Sequence, residues 1–207
     1  MAADDWYRNK EWNAQIEAAF NEKLRRARRK EQYLRIQACI LAPTHPNVAL
    51  RLLDEYFKLK DDFDHAQEHV DRATAYLALG QFDYAVKAYE AALAKESEGR
   101  GVLTRAYIDY PFLIASNGLK ELYERCLVLL DTHRERLMFP VDHFKWHASR
   151  ALVLSAQGKR TEAKKDACAA LNAASKEHSG FRYHPNIGLV GSKYEDIQKD
   201  LGSLCNA

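Results

Sequence analysis

Glycine and proline are scarce in this chain, nine and five among 207 residues. That is too few turn-formers for the many reversals of a β-sandwich or β-barrel. No run approaches about 18 uninterrupted apolar residues, so no membrane-spanning helix is expected. An excess of one charge is missing too: 31 Lys and Arg stand against 29 Asp and Glu, a formal net charge of +2. Such a balance leaves no overall footprint for nucleic acid or an anionic membrane. The four cysteines, Cys39, Cys126, Cys168 and Cys205, show no C-x-x-C spacing. This argues against a zinc site or a disulfide framework, and buried, reduced thiols in a cytoplasmic protein are the expectation. The opening MAADDWYRNKEWN has neither a basic n-region nor an apolar h-region, so no secretory leader is expected. P-loop, G-x-G-x-x-G and G-x-S-x-G patterns are missing, and no cofactor is implied.

What is present is helical. Apolar residues make up 47% and charged residues 29%, with Ala, Leu, Lys, Arg and Glu dominant. These are good helix formers, in proportions that give each helix one buried and one solvated face. The clearest internal unit runs from His69 to Leu93. Val70, Ala73, Tyr76 and Leu77 recur at helical spacing, Gly80 breaks the helix, and Ala85, Tyr89, Ala92 and Leu93 form a second stripe. Small residues at Ala73 and Ala85 let the two helices approach closely.

This unit resembles a tetratricopeptide (TPR) repeat, which in that family is two antiparallel helices in about 34 residues. The same template fits upstream through Tyr33, Ile40, Ala49, Leu53, Tyr56 and Phe57, with Pro46 in the turn. It fits downstream through Tyr107, Ile114, Gly118, Leu127 and Leu130, and again through His147, Ala151, Leu154, Gly158, Ala163, Ala167, Ala170 and Leu171. The third unit departs most, with Tyr123 where a small residue belongs and Pro111 inside its first helix, where a kink is expected. The strings DDWYRNKEWN, QYLRIQA, RLMFPVDHFKWHA and GFRYHPNIGLVG also resemble a bacterial family of TPR-like proteins, a likeness that brings no activity with it. The resemblance implies an all-α fold, a right-handed superhelical array of about four TPR-like hairpins within one domain, 1–207. A helix over 13–29, capped by Asn13, precedes the hairpins of 30–175. The segment 176–207 supplies an ordered loop and a capping helix, 193–204, with Ser192 at its start.

By that resemblance the first helices of the hairpins line a groove through Glu31, Leu34, Gln67, Val70, Thr74, Arg105, Ile108 and Lys145. The loop Phe181, Arg182, Tyr183 and His184 adds rings and a cation, the composition of an interaction hot spot. The reading is a non-catalytic module for an unknown protein or peptide, with no membrane or nucleic-acid partner. One alternative is a metal-dependent enzyme: His65, Glu68 and His69 fit H-x-x-E-H, two imidazoles one turn apart with a carboxylate as base. Against it, Asp64 reads as an N-cap, Gln67 as its capping-box partner and His69 as a packing residue. His143 and His147 have the same spacing and read as packing, after Asp142 as an N-cap. A second alternative is nucleic-acid binding through the basic segment 25–35 (Arg25, Arg26, Arg28, Arg29, Lys30), where Glu17, Glu22 and Glu31 instead suggest a solvated face.

Overall fold

The computed structural model describes residues 5–59, 65–99 and 102–206. Among them there are ten α-helices and no strand, as the composition predicts. Two compact units divide the chain, Met1–Ala106 and Tyr107–Ala207.

The first unit opens with α1 (Ala14–Arg26), whose N-cap Asn13 accepts from the backbone N–H groups of Gln15 and Ile16. That side-chain oxygen satisfies donors the helix itself leaves unpaired. α2 (Lys30–Leu41) and α3 (Pro46–Tyr56) follow, with Pro46 at the first helical position, where its missing N–H costs nothing. α4 (His65–Ala78) and α5 (Phe82–Ser97) are separated by Gly80, whose φ of +69° is the left-handed conformation that glycine adopts without strain. Helices adjacent in sequence pack together: α2 on α3, α3 on α4, α4 on α5. Phe20, Leu34, Leu41, Leu53 and Tyr56 form the core. An aromatic strap from the N-terminal segment closes one side of it. Trp6 meets Phe20 and Tyr33, and Asn9 exchanges three hydrogen bonds of 2.7–3.0 Å with the fully buried Gln37.

The second unit contains α6 (Ala106–Ser116), with Pro111 inside it, and α7 (Tyr123–Thr132). α8 (Pro140–Ala156) and α9 (Arg160–Ala174) pack on each other, and α10 (Glu195–Asn206) packs on both. α10 brings Ile197, Leu201 and Leu204 onto Phe144, Ala148, Ala167 and Ala170. Ala85 and Ala163 are enclosed, as close helix crossings require, whereas Leu93 is only half-buried.

Several expectations change. Cys168 and Cys205 form a disulfide that ties α9 to α10, and Cys39 is exposed, so only Cys126 remains a buried thiol. The residues are 37 apart, and only the return of α10 over α9 brings them together. Disulfides persist in oxidising compartments, so the cytoplasmic expectation loses the support of four reduced thiols. No helix among the described residues is long and apolar enough to cross a membrane. Asp142 is not the N-cap of α8. It sits at the third helical position and accepts from the backbone N–H groups of Met138 (3.2 Å) and Phe139 (3.0 Å). Ser192 opens a 3-10 turn, Ser192–Tyr194, ahead of α10 and does not cap it. The basic segment is not one helix: α1 ends at Arg26 and Arg29 precedes α2 with non-helical dihedrals. Asp64 lies outside the described residues.

Candidate functional site

The expected groove residues fall into two groups. In the first unit Leu34 and Val70 are buried, so their side chains pack and offer no surface to a partner. Gln67 donates to Asp71 at 3.1 Å, and Thr74 donates back to the Val70 carbonyl at 3.1 Å. Glu31 and Arg105 are half-buried. In the second unit Ile108 is fully enclosed, and Lys145 is drawn into an ion pair with Asp109 at 2.6 Å, beside the rings of Phe112 and Tyr194. Helical position puts these side chains on one stripe, and contact with neighbouring helices turns Leu34, Val70, Ile108 and Lys145 into packing residues.

The loop is different. Phe181, Arg182, Tyr183 and His184 are all exposed, Tyr183 most of all at 79%. They are held in place. Ser179 donates through Oγ to the His184 carbonyl (2.7 Å) and accepts from the Phe181 N–H (3.1 Å). Phe181 leans on Phe139 with ring centroids 5.4 Å apart, and Val141 N–H donates to the Gly188 carbonyl at 2.8 Å. Gly188 is needed there, because a Cβ on it would lie 2.4 Å from Cβ of Phe139. The result is a loop pinned to the start of α8, with Tyr183, Ile187 and Met138 exposed and the Arg182 guanidinium 5.4 Å from the Tyr183 ring centre. A fixed aromatic-plus-Arg surface can cover a partner with little ordering cost.

The two histidine pairs occupy unlike surroundings. His65 and His69 both stack against Phe57, at 5.3 and 5.1 Å, and the Arg72 guanidinium covers the same ring. Burial first, then the Arg72 charge, pushes His69 down to about 4. Glu68 is fully enclosed with Arg35 Nε at 3.4 Å from its carboxylate. His147, by contrast, has Nδ1 2.7 Å from Asp166 Oδ1, and the second Asp166 oxygen accepts from Arg150 at 3.1 Å. Among the described residues no three His, Cys, Asp or Glu side chains are grouped to hold a metal ion.

One polar cluster has no counterpart in the sequence reading. Asp71 is buried beside Gln67, Cys39 and Arg35, and burial pushes its carboxyl up to about 6. The packed surroundings of its sulfur, and then the Asp71 charge, push the Cys39 thiol up to about 11, although the residue keeps an exposed edge. The i,i+4 spacings Arg35–Cys39 and Gln67–Asp71 are the only signal in the sequence that places these groups together. In the basic segment Arg26 pairs with Glu22 at 3.1 Å, while Arg25, Arg28 and Arg29 are exposed. Comparison of the chain with protein-family models, with curated proteins and with solved structures returns no match.

Proposed function

We propose that this chain is a non-catalytic module of TPR-like helical hairpins that binds a protein or peptide, with the loop Phe181–Arg182–Tyr183–His184 as its principal contact surface. The observation that carries the reading is the loop itself. Its rings and guanidinium stand in solvent although hydrogen bonds and the Gly188–Phe139 contact fix the backbone beneath them. Exposed aromatic side chains on a rigid base are the composition of binding hot spots. The TPR-like assignment is supported by the recurrence of glycine turns at Gly80, Gly118 and Gly158, all with positive φ, and of enclosed alanines at Ala49, Ala85 and Ala163. The rival readings have less beneath them. Glu68 faces Arg35 and so is not poised as a base, and the basic segment is broken between α1 and α2.

The test is affinity capture from the native cell with the full chain, followed by quantitative binding of the captured partner. Replacing both Arg182 and Tyr183 by Ala should weaken that partner at least tenfold, an effect typical of hot-spot truncation. Lys165→Ala, on the exposed side of α9, should bind as wild type. Full affinity in the loop variant, with loss in Lys165→Ala, would put the contact surface elsewhere.

A further inference from the structure

The second unit holds a pocket of 250 Å³ lined by Arg134, Glu135, Leu137, His143, Trp146 and His147. Its floor is fixed. Trp146 is buried, its indole N–H donates to the Leu130 carbonyl at 2.9 Å, and two guanidiniums lie over the ring, Arg150 at 4.8 Å and Arg134 at 5.4 Å. The two arginines differ in what they have left to give. Arg150 is committed to Asp166 and Asp131, each at 3.1 Å. Arg134, in the 3-10 turn Arg134–Arg136, meets the Trp146 ring and has no carboxylate within ion-pair distance among the described residues. A guanidinium held over an aromatic face keeps its in-plane N–H donors for a ligand.

His147 is oriented as well. Asp166, itself buried, accepts from Nδ1 at 2.7 Å, which keeps hydrogen on that nitrogen and leaves Nε2 at the opposite edge of the ring. His143 stands one turn earlier on the same helix face and is exposed. In the neutral ring Nε2 carries a lone pair, and in the charged ring it donates. Inorganic phosphate matches both states, because it is anionic and keeps an O–H near neutral pH. Sulfate has no such hydrogen to offer. Glu135 is the one acidic group in the lining and opposes a second anionic group, so a compact ligand suits the pocket.

We infer that this pocket binds a phosphate-class oxyanion. Arg134 supplies the fixed charge, His147 and His143 supply ring nitrogens, and Asp166 is the positioning residue for His147. The experiment titrates the full chain with inorganic phosphate, phenyl phosphate and sulfate while following the histidine ring resonances by NMR. Phosphate should shift His143 and His147 saturably and leave the other histidines in place. The phenyl phosphate arm tells a free phosphate from an esterified one, and saturable binding of either supports the site. Arg134→Gln, on an exposed turn, should weaken binding about tenfold, the usual loss for a charge-assisted hydrogen bond, while Lys164→Gln should not. Asp166→Asn should weaken it as well; if that variant does not fold, Arg134→Gln carries the test alone. Three results would overturn the inference: no saturable shift, binding undiminished in Arg134→Gln, or sulfate bound as well as phosphate.

Discussion

The N-terminal halves of α4 and α8 carry the same sequence device, two histidines four residues apart, and the fold uses them in opposite ways. At α4 both rings lie against Phe57 under a guanidinium, with a neighbouring carboxylate already facing Arg35. At α8 one ring is held by a buried carboxylate and both line an open pocket. Identical spacing therefore fixes only that two imidazoles share a helix face. Whether they pack or line a pocket is decided by what a neighbouring helix brings: Phe57 from the end of the preceding α3 in one case, Asp166 from the following α9 in the other.

This comparison can be broken or sharpened by mutation. The largest effects are expected where each hairpin crosses itself. Ala85→Trp and Ala163→Trp both force a large ring into an enclosed site and should each cost roughly 1–3 kcal/mol in denaturant unfolding. A similar loss in both makes the two hairpins equivalent scaffolds for their unlike histidines. An unchanged melting temperature in either would mean that crossing is not tight.

A smaller, pH-dependent effect separates the pairs themselves. His69 has its folded-state pKa lowered from 6.5 to about 4. Between those values the unfolded chain takes up a proton that the folded chain refuses, so stability is lost as pH falls from 6.5 towards 4. His69→Phe keeps a ring against Phe57 and removes that proton. The stability of wild type relative to this variant should therefore rise with pH across the window. Asp71 acts with the opposite sign: its raised pKa gives a contribution present at low pH and lost as pH rises through about 6. Both proteins contain Asp71, so the difference between them isolates His69. A flat difference from pH 4 to 6.5 would contradict the packed, neutral ring. The smallest effect is reserved for His143→Ala. That side chain is exposed, and thermal unfolding should register a change within about 0.5 kcal/mol.

Local features of this fold were legible in the sequence, because helical periodicity and glycine turns are short-range signals. Asn13 capping α1, Gly80 between α4 and α5, and the non-helical stretch from Ser179 to Gly191 were all readable without a structure. What escaped depended on distant partners. Gln37 is 28 residues from Asn9, so the aromatic strap at the N-terminal segment carries no periodic signature. Lys145 falls where the TPR resemblance implies a groove, yet Asp109, 36 residues upstream, draws it inside. Exposure of the expected binding residues was legible where the sequence marked a break in the helical pattern, as it did around Phe181 and Tyr183.

The bond between Cys168 and Cys205 has a topological consequence. Everything between those residues belongs to a closed covalent ring, and the exposed stretch from Phe181 to Ile187 is part of it. A protease that nicks this stretch opens the ring without dividing the molecule. The last helix stays tethered to the body it covers, and the two new chain ends at the cut come free beside the α8 start. Reduction alone leaves the backbone continuous, so only nicking and reduction together detach the C-terminal fragment. The surface most accessible to a partner is thereby also the place where the chain best survives being cut.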